Sequence, residues 1–422
     1  MAFEIEKVTA LEILDSRSRP TLQVSLTLGD GTTAEAGVPS GASTGSREAV
    51  ELRDADMARY AGLGVLTVAS NVNTEINQHL AGRPWASLAE VDQAMCDLDG
   101  TSNKARLGAN AIVGVSMALA RALASTSHQP LYRWLPGVDG QARCLPVPCF
   151  NVLNGGVHAP NALDFQEFMI CPFGAPNIAE AVRAGAEVYA ALKKRLAAAG
   201  QSTGLGDEGG FAPELARPED VLALIVASIN DAGYKASRDG VAIALDPAAS
   251  EFDQSDGTYL VNGEHLTSSD MIARYTTMVD AFPIWNIEDG LGEADTTGWK
   301  QLTAELGGRI QLTGDDNFCT TPAIIAQAIM DGIGNAALIK LNQIGTVSET
   351  LQAMRVCQKA GYKQMVSHRS GETPDSFIAD LVVATGCGQI KTGAPARGER
   401  VAKYNRLIQI AAQDPSLPQA QN

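Results

Sequence analysis

No Cys-x-x-Cys pair occurs among the seven cysteines and their number is odd, so the chain offers neither a disulfide framework nor a structural zinc site. A reducing, cytoplasmic setting is the simplest expectation. The first residues, MAFEIEKV, carry acids and no apolar run, so no secretory leader is expected there. Long apolar runs are also missing. The longest nearly uncharged stretch, 107–120, stops at Arg121, too short to span a bilayer, and reads as a buried alanine-rich core helix. Positive charge is scarce. With 32 Lys and Arg against 48 Asp and Glu the net charge is −16, which argues against nucleic acid or an anionic membrane as a partner. An anionic small ligand would be repelled by that average field, so the cations that bind one must be concentrated locally.

What the chain does have suits a compact α/β enzyme: 422 residues, 45% hydrophobic, 41 glycines and 19% charged residues. That length accommodates one barrel of about 250 residues and a smaller domain. Residues 1–38 alternate as strands do, with a hairpin turn at Gly29, Asp30 and Gly31. From Ser46 to Ser125 apolar positions recur three or four apart, as in helices, so a small strand-then-helix domain is expected over 1–138. The Pro-rich stretch 135–150 marks the boundary, and 139–422 alternates strand-like runs with amphipathic helices. One helix is expected over 177–199, with Ile178, Val182, Val188, Leu192 and Leu196 on one side and Gly200 as its stop. The last ten residues read as a loose tail.

Six ionisable residues close successive strand-like runs: Asp246, Glu288, Asp315, Lys340, His368 and Lys391. Their spacings of 42, 27, 25, 28 and 23 residues lie mostly close to the roughly 30-residue repeat of a closed eight-stranded βα barrel, which would bring them to one face. Asp246, Glu288 and Asp315 suit a hard divalent cation such as magnesium, although any one acid could simply cap the following helix. Lys340 lies in AALIKLNQIG, apolar enough to bury its stem and depress its pKa toward that of a general base. SHRSGET supplies His368, Arg369 and Ser370 as donors for a phosphate, and Lys391 adds a cation at the next strand end.

Two glycine-rich segments need separate treatment. Gly204, Gly206 and Gly209 match the dinucleotide pattern GxGxxG, but the segment follows a helix and runs into Phe-Ala-Pro, so that reading fails. The glycines more plainly let the backbone present Glu208, a candidate acid. VPSGASTGS at 38–46 lacks the Gly-Lys ending of a P-loop and reads as a flexible loop before a helix capped by Thr44 or Ser46.

Taken together, SGASTG, ELRD, LGANAI, LPVPCFNVLNGGVHA, QEFMI, GDEGGFAP, ASEF, IEDG, GDD, IKLNQIGT, SHRSGET, FIADL and IKTGAPAR resemble the enolase family, in order, from residue 13 to 405. The resemblance implies an N-terminal α+β domain followed by an eight-stranded (β/α)8 TIM-type barrel whose first units depart from βα order. It implies dehydration of 2-phosphoglycerate with two Mg2+ ions, Mn2+ being the alternative. Asp246, Glu288 and Asp315 match the first metal's ligands, and Ser43 a mobile-loop ligand of the second. Lys340 matches the base, Glu208 assisted by Glu167 the acid, and His158, Glu167, His368, Arg369, Ser370 and Lys391 the substrate positions. Those roles require a neutral lysine and a protonated glutamic acid near pH 7. The resemblance also implies a homodimer through the N-terminal domain, with the octamer as the larger assembly.

Five places depart from the family text: Ser18-Arg19 for Gly-Asn, Pro160 for Asp, Gly290 for Pro, Asn317 for Leu and Gly398 for Ser. Pro160 would stiffen the segment carrying His158 by fixing its own φ and biasing Ala159. The departures frame two alternatives: a paralogue retuned for a phosphonate or related analogue, or a non-catalytic enolase-like binding protein. Every expected metal ligand, base and acid is nevertheless present.

Overall fold

The computed structural model describes residues 2–41, 44–138 and 142–421. The N-terminal sheet contains β1 (Phe3–Leu14), β2 (Pro20–Leu28), β3 (Thr33–Gly37) and the two-residue β4 (Pro84–Trp85), in the order β3-β2-β1-β4. The β2–β3 hairpin turns at 29–32, where the sequence signals it. The expected run of helix from residue 46 does not form. Residues 46–59 are turns and irregular chain, and regular helix begins only at Leu66. The segment's polar groups are satisfied at a distance instead: Ala49 N donates to Gln343 O, Val50 N to Asn103 O, and Arg53 Nη1 to Pro20 O. Tertiary partners outweigh local propensity there, and neither Thr44 nor Ser46 caps a helix.

The helix Ala109–Thr126 is apolar nearly all round and long enough to cross a bilayer by length and composition alone, yet it is buried. It packs on β2 and β3 and also on the barrel helices Leu341–Ile344 and Val347–Lys359. A helix hydrophobic on every face needs such cover on every face. The second domain's helix Ile178–Ala198 forms as expected, Asn177 accepting from Glu180 N at 3.0 Å as its N-cap.

The second domain is a closed barrel. Its strands are β5 (Val147–Asn154), β6 (Glu167–Pro172), β7 (Val241–Asp246), β10 (Ile284–Glu288), β11 (Gln311–Gly314), β12 (Ala336–Ile339), β13 (Lys363–Ser367) and β14 (Gln389–Lys391), in the cyclic order β10-β11-β12-β13-β14-β5-β6-β7. A side hairpin, β8 (Thr258–Val261) and β9 (Glu264–Thr267), follows β7. β6 runs antiparallel to both neighbours, so its first residue, Glu167, lies at the same mouth as the last residues of the other strands. The interior holds a small apolar plug that includes Val147, Met169, Ala244, Trp285, Leu338 and Met365, so the barrel is a packed core and not a pore. The tail is held as far as Ala420 and is not loose there: Leu145 N donates to Pro418 O and Ala420 N to Leu145 O, docking it beside the entry to β5.

Candidate active site

The six strand-end residues do converge. Asp246, Glu288 and Lys391 end β7, β10 and β14, while Asp315, Lys340 and His368 come one residue after β11, β12 and β13. All six are buried, and all but Glu288 line one cavity with Glu167, Glu208, His158, Arg369 and Ser370. Ser43 lies outside the described residues.

Lys391 forms one centre. Its Nζ donates to Glu288 Oε1 at 2.6 Å, Asp246 Oδ2 at 3.1 Å and Glu167 Oε1 at 3.4 Å. Burial lowers the Lys391 pKa, but these carboxylates outweigh it and hold the ammonium charged. Three carboxylates around one ammonium carry more negative charge than a buried site tolerates. Burial and the neighbouring acids accordingly push Glu167 and Glu288 well above the carboxylate range.

Lys340 forms a second centre with Asp315, and its backbone N–H donates to Thr320 Oγ1 at 2.9 Å. The sequence suggests a lysine depressed by burial. Burial does lower its pKa, but the Asp315 charge outweighs it and the net shift is upward. Asp289, which the sequence reading passed over, accepts from the backbone N–H groups of Asp315 and Asp316 at 2.8 and 2.9 Å and so fixes the turn that carries Asp315. Asp316 is pushed up to about 8 by burial and by Asp315. The signal for both residues was the doubled acid in IED and GDD.

Glu208 sits on a tight loop in which Gly206 N donates to Gly210 O and Gly209 takes φ +87°, as a glycine-rich presenting turn requires. Asn151 Nδ2 donates to Glu208 Oε2 at 2.9 Å, His368 Nε2 lies 3.3 Å from the same oxygen, and His158 Nδ1 lies 3.8 Å from Oε1. Arg400 Nη1 donates to His368 Nδ1 at 2.6 Å. A guanidinium cannot accept, so Nδ1 must be the bare nitrogen and Nε2 carries the proton toward Glu208. Burial raises the Glu208 pKa, but His368, His158 and Arg400 together bring it well below the carboxylate range. Burial in turn lowers His368 to about 4, so at neutral pH it acts on Glu208 as a neutral N–H donor. The shifts expected for a base and an acid are thus reversed in Lys340 and Glu208 themselves. The upward shift falls on Glu167, which burial and the neighbouring Glu208 push up, and not on Glu208.

Ser370 Oγ and His158 Nε2 are 3.3 Å apart, and Arg369 pairs with Glu48 of the N-terminal domain. Ala159 is extended at φ −152° and ψ 139°, as the residue before Pro160 should be.

The donor set suits a hard divalent cation. Apart from nearby histidine it is carboxylate oxygen, and Glu288 Oε2 and Glu167 Oε2 are buried without a hydrogen-bond partner. Two groups already bring their ligand atoms within 4.8 Å of one another: His158, Glu167 and Glu208, and Asp289, Asp315 and Asp316. Asp246, Glu288 and Asp315 end three consecutive strands of the barrel wall, with Lys391 between the first two and Lys340 on the third.

A closed barrel with acids and lysines massed at one mouth, capped by an α+β domain, defines a metal-compatible barrel enzyme. The family model described as Enolase, N-terminal domain matches residues 5–135, and that described as Enolase, C-terminal TIM barrel domain matches 142–416. The chain belongs to the enolase family.

Proposed function

We propose that this protein catalyses the reversible dehydration of 2-phospho-D-glycerate to phosphoenolpyruvate and water, using Mg2+. The observation that supports this most directly is the opposition of Lys340 and Glu167. β12 and β6 stand four places apart in a ring of eight strands, so the two side chains approach from opposite walls. Glu208 clusters with Glu167 on that wall, and a base on one face with this acid pair on the other is the arrangement for anti elimination of a C2 proton and a C3 hydroxyl.

In this reading the neutral amine of Lys340, its own proton having passed to solvent, takes the C2 proton. Glu208 and Glu167 hold one proton between them, and Glu208, fixed by Asn151 and His368, delivers it to the departing hydroxyl. Lys391 stabilises the charge that builds on the substrate carboxylate, while Arg369, Ser370, His158 and His368 bind the rest of the anion. Mg2+ held by Asp246, Glu288 and Asp315, with Ser43 at a second ion, would supply Lewis-acid stabilisation of that charge. Pro160, Gly290 and Asn317 are not among the described residues lining the cavity, which favours the ordinary substrate over a phosphonate analogue. The reaction belongs to glycolysis and gluconeogenesis in the cytoplasm, a setting compatible with seven unpaired thiols. A homodimer through the N-terminal domain fits Leu11, Leu14, Met57 and Tyr60, large apolar side chains left exposed there.

Solvent exchange of the C2 hydrogen separates base from acid. Glu208→Gln should keep exchange while elimination falls by about 10²- to 10⁴-fold, and Lys340→Ala should lose both. Exchange at the wild-type rate in Lys340→Ala would show that Lys340 is not the base.

A further inference from the structure

Glu48 belongs to the N-terminal domain, yet its carboxylate lies in the barrel mouth. Arg369 Nη1 donates to Glu48 Oε2 at 2.9 Å and Nη2 to Oε1 at 3.2 Å, while Nη1 also donates to Asn342 Oδ1 at 2.9 Å. Gln343, fully buried, links this pair to the Lys340 centre. Its Nε2 donates to Glu48 Oε1 at 3.1 Å and to Asp315 Oδ1 at 2.8 Å. The amide can take only this orientation. Thr320 Oγ1 accepts from Lys340 N, so its single hydrogen is left for Gln343 Oε1 at 2.7 Å.

We propose that Glu48 is a positioning residue: one carboxylate from outside the barrel orients the anion-binding Arg369 and, through Gln343, the Asp315 carboxylate beside Lys340. The inference rests on the function proposed above and adds a residue to it. A bidentate carboxylate fixes the plane of a guanidinium, and an amide bridging two carboxylates fixes their separation. The contrary reading is that Glu48 competes with the anionic substrate for Arg369. Against it, Glu48 is also held by Gly45 N at 3.2 Å and by Gln343, so leaving would unmake several bonds at once.

The two readings predict opposite changes in KM. With the Mg2+-saturated enzyme, Glu48→Gln should raise KM for 2-phosphoglycerate by about 10- to 100-fold, the loss of a charge-assisted pair, and raise the Mg2+ concentration for half activity. Arg47→Ala serves as the control, because Arg47 Nη2 also docks this loop, donating to Asn317 O at 2.6 Å. It should change KM by no more than about threefold, as for a half-exposed contact. A lower KM in Glu48→Gln would establish competition, and equal effects of the two variants would reduce Glu48 to loop docking; either overturns the inference. Wild-type inactivity would instead reject the proposed reaction. The inference would then be read from calorimetric binding of inorganic phosphate, where Glu48→Gln must weaken binding and Arg47→Ala must not.

Discussion

Arg400 decides which nitrogen of His368 carries the proton, and through it the hydrogen bonding of Glu208. Removing the guanidinium frees Nδ1 to take that proton and turns Nε2 into an acceptor facing a carboxylate. Arg400→Gln should therefore lower kcat by about 10- to 100-fold and move the acidic limb of the pH–rate profile, the scale of a displaced positioning partner. An unchanged profile would show that the tautomer is immaterial. Ser18 gives a second residue-scale case. It stands where the family text has glycine and adopts φ 59°, a region costly for a side chain. Ser18→Gly should stabilise the fold by about 0.5–1 kcal/mol in urea unfolding.

Much of the site was legible residue by residue, because charged groups ending apolar strands have a fixed place in a barrel. Asp246, Glu288, Asp315, Lys340, His368 and Lys391 needed only their spacing. Their protonation was not legible. The direction of the Lys340 shift depends on Asp315, which lies 25 positions away in sequence and becomes a neighbour only in the fold. Gln343, Asn151 and Arg400 were missed for a related reason: nothing in their local text distinguishes a bridging amide or a tautomer-setting arginine from any other polar residue.

At the scale of elements, the helix Ala109–Thr126 shows how tightly the two domains are joined. Its Gly114 would ordinarily be improved by alanine, the better helix former. Here an added Cβ would meet Val24 Cγ2 at 2.6 Å and Val38 Cγ2 at 2.8 Å, neither at the end of a flexible chain. Gly114→Ala should thus destabilise by about 1–3 kcal/mol, and a gain in stability would show that the sheet yields. The same helix carries Arg121, whose Nη2 donates to Asp375 Oδ1 of the barrel domain at 2.7 Å. Burial raises the Asp375 pKa, but Arg121 and the backbone donors outweigh it and depress it. A depressed acid contributes stability that is present above its unfolded pKa, near 3.9, and is lost as pH falls through the lower folded value. Asp375→Asn should cost about 3–5 kcal/mol at pH 7 and much less in strong acid. A cost independent of pH would mean that the charge is not what matters. Elements were less legible than sites where tertiary contacts compete with local pattern. The stretch 46–59 reads as helix until the distant partners of Ala49, Val50 and Arg53 are known.

For the whole molecule, a net charge of −16 and an anionic substrate are reconciled by placement: Lys340, Lys391, Arg369 and Arg400 are all buried at the barrel mouth. In the proposed homodimer, the exposed apolar side chains of β1 and of the segment beside it, joined by the Glu12–Arg59 pair, would form the docking face. Leu14→Lys with Met57→Lys should shift sedimentation toward monomer, and an unchanged dimer would place the interface elsewhere. The central claim, that this mouth dehydrates 2-phosphoglycerate, is tested most directly by ultraviolet absorbance as that compound is added to the purified protein with and without Mg2+. A rapid, Mg2+-dependent rise from phosphoenolpyruvate is the predicted result; no rise from folded, Mg2+-loaded protein would contradict it.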